Sequence, residues 1–76
     1  MKPDNYWNYR IMRDRDGLYN IYEVYYRCGK VENWSSEPAS LLTDEVEDIA
    51  SSLEKMLRGA KEFPILDHET GEETNA

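Results

Sequence analysis

Apolar and aromatic positions crowd the first half of the chain and then change period. Between residues 6 and 35 the run is dense in Tyr, Ile, Val and Trp, with four tyrosines in LYNIYEVYYR alone. These types suit a pleated, half-buried surface. Tyr19, Tyr22 and Tyr26 also fall at helical spacing, but turn signals bound the run: DRDG (Asp14 to Gly17) before it and Cys28-Gly29 after it. The pattern predicts strands over residues 6–13, 18–27 and 30–35, joined by two short turns into an antiparallel meander.

After Pro38 the period becomes helical. Val46, Ile49, Ala50, Leu53, Met56, Leu57 and Ala60 form one apolar stripe. Thr43 is the expected N-cap, with Asp44, Glu45, Glu47 and Asp48 at the positive end of the helix dipole and Lys55, Arg58 and Lys61 toward the other end. Gly59 is placed to end the helix, and Pro64 forbids its continuation. FPIL (Phe63 to Leu66) reads either as a short fourth strand or as an apolar strap. The expected architecture is α+β: a three-stranded antiparallel meander with one amphipathic helix packed on one face, in the order β-β-β-α-β if FPIL is a strand. Residues 1–66 form the single domain, and residues 67–76, polar and acidic, are expected to be disordered.

Turn lengths assign faces. A four-residue DRDG loop sets Arg13 opposite Leu18. A two-residue Cys28-Gly29 loop sets Tyr26 opposite Val31 and Glu23 opposite Trp34. One face is then Trp7, Tyr9, Ile11, Leu18, Tyr22, Val24, Tyr26 and Val31, expected beneath the helix stripe. The other carries Asn8, Arg10, Met12, Tyr19, Ile21, Glu23, Tyr25, Glu32 and Trp34. A one-residue change in the first loop moves strand 1 to the opposite face.

Charge is uneven. Residues 1–34 hold six Lys/Arg against five Asp/Glu, and residues 35–76 hold three against eleven, for a net charge of −7. Such a chain is repelled by phosphate backbones, which argues against direct nucleic-acid binding. No run approaches the ~20 apolar residues of a membrane span, and MKPDNYWNYR has no apolar signal segment. With a single cysteine, the expectation is cytoplasmic residence.

Candidate chemistry is sparse. His68, the only histidine, is expected to be solvated. Cys28 has the cations Arg27 and Lys30 nearby but no histidine partner, and reads as a turn residue. DRDG resembles the start of a calcium loop without the later acidic ligands. No metal, cofactor or enzymatic activity is expected. The candidate partner-binding residues are Arg10, Tyr19, Ile21, Glu23, Tyr25 and Trp34, on the face the helix does not cover. Tyr, Trp and Arg dominate interface hot spots, and an exposed aromatic patch on so small a chain calls for something to cover it. A solvated cross-strand pair of Arg10 with Glu23 is the plainer alternative.

Trp7, Asn8, Tyr9 and Arg10, then Tyr19, Ile21, Glu23, Val24, Tyr25 and Tyr26, then Gly29, Trp34 and Pro38, with LEKML and PILD following, give a run that resembles a widespread family of small uncharacterised bacterial proteins. Their pattern is W-N-Y-R-V, Y-G-I-H-E-V-Y-Y, W-T-E-x-P, L-E-x-M-L and P-V-L-D. Tyr22 stands where that pattern has His, and Asn20 where it has Gly. The resemblance implies one cytoplasmic domain and supplies no activity. A looser similarity of layout is to antitoxin domains built as three strands, a helix and a strand, whose Pro-Asp-Leu-Pro-Gly segment is missing here. The expected function is a non-enzymatic interaction module that binds a protein partner or a second copy of itself. The alternative is an acidic inhibitor of a basic nucleic-acid-binding protein.

Overall fold

A computed structural model of the chain describes residues 5–74. Its elements are β1 (Asn5–Arg13), β2 (Tyr19–Arg27), β3 (Lys30–Trp34), α1 (Val46–Glu62) and β4 (Leu66–Asp67). The fold is α+β, a four-stranded sheet in the order β3-β2-β1-β4, with β1, β2 and β3 antiparallel and β4 parallel to β1.

Asp14 organises the first turn. Its carboxylate accepts from the backbone N–H of Asp16 (2.9 Å) and of Leu18 (3.0 Å), and its own N–H donates to the Leu18 carbonyl (2.9 Å). Gly17, at φ +80°, supplies the left-handed residue the turn needs. Leu18 is thereby drawn into the loop, which becomes one residue longer than expected. Arg13 faces Tyr19, and the whole register moves by one: Ile11 lies opposite Ile21, Tyr9 opposite Glu23 and Trp7 opposite Tyr25. Because side chains alternate, this slip turns all of β1 over.

The second turn is the expected two-residue hairpin. Cys28 and Gly29 both have positive φ, 52° and 80°, as a type I′ turn requires. Arg27 pairs with Lys30 and Tyr26 with Val31, after which a bulge shifts the register so that Asn33 pairs with Tyr25 and Trp34 with Val24. The residue absorbed is Glu32. Trp34 therefore leaves the face it was expected to share with Glu23 and joins Val24.

Both slips feed one core. Met12, Tyr22, Val24, Tyr26 and Leu66 are buried together, with Val31 and Trp34 packed against them. Of residues 67–76, expected to be disordered, residues 67–74 form a hairpin that closes this core, and residues 75–76 lie outside the described residues. The Asp67 N–H donates to the Glu72 carbonyl (2.8 Å), the Thr74 N–H to the Ile65 carbonyl (2.9 Å) and the His68 N–H to the Arg13 carbonyl (2.9 Å). The Trp34 indole N–H donates to the His68 carbonyl (2.8 Å). Gly71, at φ +76°, lies so close to the Trp34 ring that a Cβ there would overlap it. The physical reason is that Leu66 and Trp34 need cover, and the turn residues after Leu66 provide it despite their polarity.

The helix also departs from expectation at both ends. Glu45, not Thr43, is the N-cap, with no side-chain capping bond; the Thr43 hydroxyl instead accepts from the Glu45 N–H (3.1 Å). The helix continues through Gly59 and stops at Phe63, ahead of Pro64. Gly59 serves contact instead of termination. It sits against β1 so closely that a Cβ would overlap the Tyr9 carbonyl oxygen and stand 2.7 Å from its carbon. A strand carbonyl lies in the sheet plane, so the helix meets β1 along its outer edge. Side chains then reach both faces: Ser52 and Lys55 border Trp7 and Tyr9 on one, and Phe63 lies against Arg10 on the other.

Candidate interaction surface

The register decides what each face presents. Tyr19, Ile21, Glu23 and Tyr25 share the face opposite the core, as expected, and the turned-over β1 adds Trp7, Tyr9 and Ile11 to it. Trp7, Tyr19 and Tyr25 are exposed there, whereas Tyr9 is buried. The Trp7 ring meets Tyr9 edge-on at 5.0 Å. The Tyr25 hydroxyl donates to a Glu23 carboxylate oxygen at 2.7 Å. That bond to Glu23, reinforced by burial and by the Glu23 charge, holds the Tyr25 hydroxyl above its ordinary pKa of 10.0.

Two of the six candidate residues lie elsewhere. Arg10 is on the core face and only 6% exposed. Its guanidinium donates from Nη1 to the Tyr26 hydroxyl (3.1 Å) and from Nη2 to the Pro64 carbonyl (2.7 Å), and it stacks over the Phe63 ring at 5.3 Å. No carboxylate pairs with it among the described residues. It cannot pair with Glu23, because the one-residue slip in β1 puts the two side chains on opposite faces. Trp34 is half-buried against the core for the reason given by the bulge.

His68 is likewise not a free tail residue. Its ring packs on Tyr22 with centroids 4.7 Å apart, and Nε2 lies 3.0 Å from the Ser35 carbonyl oxygen. A carbonyl only accepts, so Nε2 carries the proton in this contact. The ring is a clamp between the tail and the segment after β3. Beside it lies a groove of about 400 Å³ whose rim gathers Asp14, Asp16, Glu37 and Glu69. Burial, then the charges of Asp14 and Glu37, raise the pKa of Tyr22 at its floor. Arg15, at the same rim, pairs with Glu69 at 3.1 Å.

A second exposed apolar feature is one the sequence pattern assigned to the core. At ~100° per residue, Leu53 points roughly 120° away from Gly59, the residue that faces β1. Only the border of the helix stripe, Met56, is buried with Gly59. Val46 is 75% exposed, Leu57 58%, Leu53 49% and Ile49 37%. Leu42, just before the helix, is 93% exposed. The signal was present in the sequence: a glycine inside an otherwise regular apolar helix marks a close backbone approach, and that fixes which side meets the sheet.

Where the helix adjoins β1, a groove of about 290 Å³ is lined by Trp7, Tyr9 and Phe63, with the cations Lys55 and Arg58 at its border. The surface as a whole can bury apolar area and orient a partner by charge. No protein-family model, no curated protein and no solved structure matches this chain.

Proposed function

We propose that the protein is a non-enzymatic protein-interaction module that docks through the apolar stripe of α1, with the Trp7–Tyr19–Tyr25 sheet patch as a second contact area. One observation carries this reading: Val46, Ile49, Leu53 and Leu57 form a helical row that the fold leaves to solvent. Burying such side chains is worth about 25 cal/mol per Å², and a patch of this kind marks an interaction site. His68, the group best suited to acid–base work, is taken up in holding the tail, which favours a binding role over a chemical one.

The test is photo-crosslinking in the producing cell. A benzophenone amino acid in place of Leu53 should give a discrete adduct, and one in place of Thr70 should not. An absence of adducts from position 53 refutes the reading.

The acidic-inhibitor reading has its own support in the four carboxylates that ring the groove beside Tyr22 and His68. It requires a basic partner whose capture fades as salt rises, because exposed charges are screened beyond ~10 Å at 0.1 M. Salt-insensitive capture excludes it.

A further inference from the structure

We propose that the partner of the α1 stripe is a second copy of this chain, paired helix to helix in antiparallel fashion about a two-fold axis beside Leu53. The proposal rests on the interaction-module reading and names its partner. Val46, Ile49, Leu53, Leu57 and Ala60 recur at steps of 3, 4, 4 and 3, a helical row that reads the same from either end. A two-fold interface must be self-complementary, each residue meeting its counterpart's partner in both directions. The stripe meets that condition. An axis beside Leu53 sets Leu53 against Leu53 of the second copy, Ile49 against Leu57 and Val46 against Ala60.

The charges obey the same symmetry. Carboxylates (Glu47, Asp48) occupy the first turn of the helix, and cations (Lys55, Arg58, Lys61) lie in its second half. Antiparallel pairing carries the acidic end of each copy to the basic end of the other, with Glu47 within reach of Lys61. A parallel pair stacks like on like, Glu47 on Glu47 and Lys61 on Lys61. Glu54 and Glu62 break the pattern, and Glu54 is one turn from Arg58 on its own helix. A 17-residue helix is about 25 Å long, so a helix pair buries on the order of 1,000 Å² and belongs at the low end of specific interfaces. The dimer should be weak and concentration-dependent.

Sedimentation equilibrium over a wide concentration range tests this on the full chain. Wild type should run as a reversible monomer–dimer, and Leu53→Glu as a monomer with unchanged circular dichroism. Lys61→Glu should weaken the dimer on the order of tenfold, since both symmetry-related pairs become repulsive. Adding Glu47→Lys to it should restore wild-type association, because the pairs re-form in reverse. A dimer that survives Leu53→Glu overturns the proposal, as does a charge reversal that fails to restore association. If wild type stays monomeric while the crosslinker at position 53 captures a different chain, the second copy is excluded and the module reading stands. A monomer with no adduct from position 53 removes both.

Discussion

Replacing Gly59 by alanine gives the sharpest test of how α1 is seated. In an exposed helix interior, alanine is more favourable than glycine by about 1 kcal/mol, so the substitution ordinarily stabilises. Here the added methyl would overlap the Tyr9 carbonyl oxygen, with its carbon at 2.7 Å and the Arg10 nitrogen at 3.5 Å. Those atoms are strand backbone and cannot swing aside as a side-chain tip would. The helix must instead back away, taking Met56 from its contact and pulling on Phe63 and Pro64, which hold Arg10. Overpacking of this kind costs about 1–3 kcal/mol, and loss of Met56 burial adds to it. Against a total of roughly 4–11 kcal/mol for 76 residues at 0.05–0.15 kcal/mol per residue, a net loss of ~2 kcal/mol is large. It should lower the melting temperature by about 8–16 °C in a domain of this size. Thermal melts followed by far-ultraviolet circular dichroism measure it, with Ser51→Ala, at an exposed helix position, as the control that should rise slightly. If Gly59→Ala melts above wild type, the helix does not ride on β1 through Gly59, and the argument for a sideways-facing stripe falls with it.

The remaining predictions follow from the core and the turns. Arg10→Ala removes two hydrogen bonds and the Phe63 contact and should cost about 2–4 kcal/mol in urea unfolding; a change under ~0.5 kcal/mol means Arg10 does not tie β1 to the helix end. Trp34→Ala should cost about 3–5 kcal/mol and release the C-terminal hairpin to proteolysis; a stable, protease-resistant variant places the indole outside the core. Burial and two carboxylates raise the pKa of Tyr22 above 10.0, so above pH 10 the unfolded chain gives up its proton first and binds fewer protons than the native one. Stability is then full below pH 10 and falls as pH rises through the native value, and pH titrations of the urea midpoint should show a shallower alkaline loss for Tyr22→Phe. Cys28 holds φ 52° without being glycine, so Cys28→Asn, the type I′ preference, should raise the melting temperature by a few degrees; a drop means the thiol makes a contact worth more than the strain.

The element types were legible in the sequence because period and turn residues announce them: three strands and a helix, with a fourth strand offered at FPIL as one of two alternatives and found at Leu66–Asp67. The faces were not, and the failure is local. Asp14 can cap the N–H of Asp16 alone or of Leu18 as well, and composition does not distinguish a four-residue loop from a five-residue one. That choice moved Arg10 inward and Trp7 outward. The bulge after Val31 did the same to Trp34. Of the six candidate residues, Tyr19, Ile21, Glu23 and Tyr25 share a face because β2 alternates internally whatever its neighbours do. The tail was misjudged on polarity alone, since its order depends on Trp34 and Leu66, residues far away or already counted elsewhere.

The seating of α1 along β1 has a consequence for how copies of this sheet could stack edge to edge. On that side the helix and the C-terminal hairpin occupy the strand's outer hydrogen-bonding row. The other side ends in β3, five residues long and interrupted by a bulge. Unlimited strand addition, the route to fibrils, needs two free rims on every copy. Among the described residues this sheet offers one, so any ribbon it begins is terminated as soon as a second copy has joined.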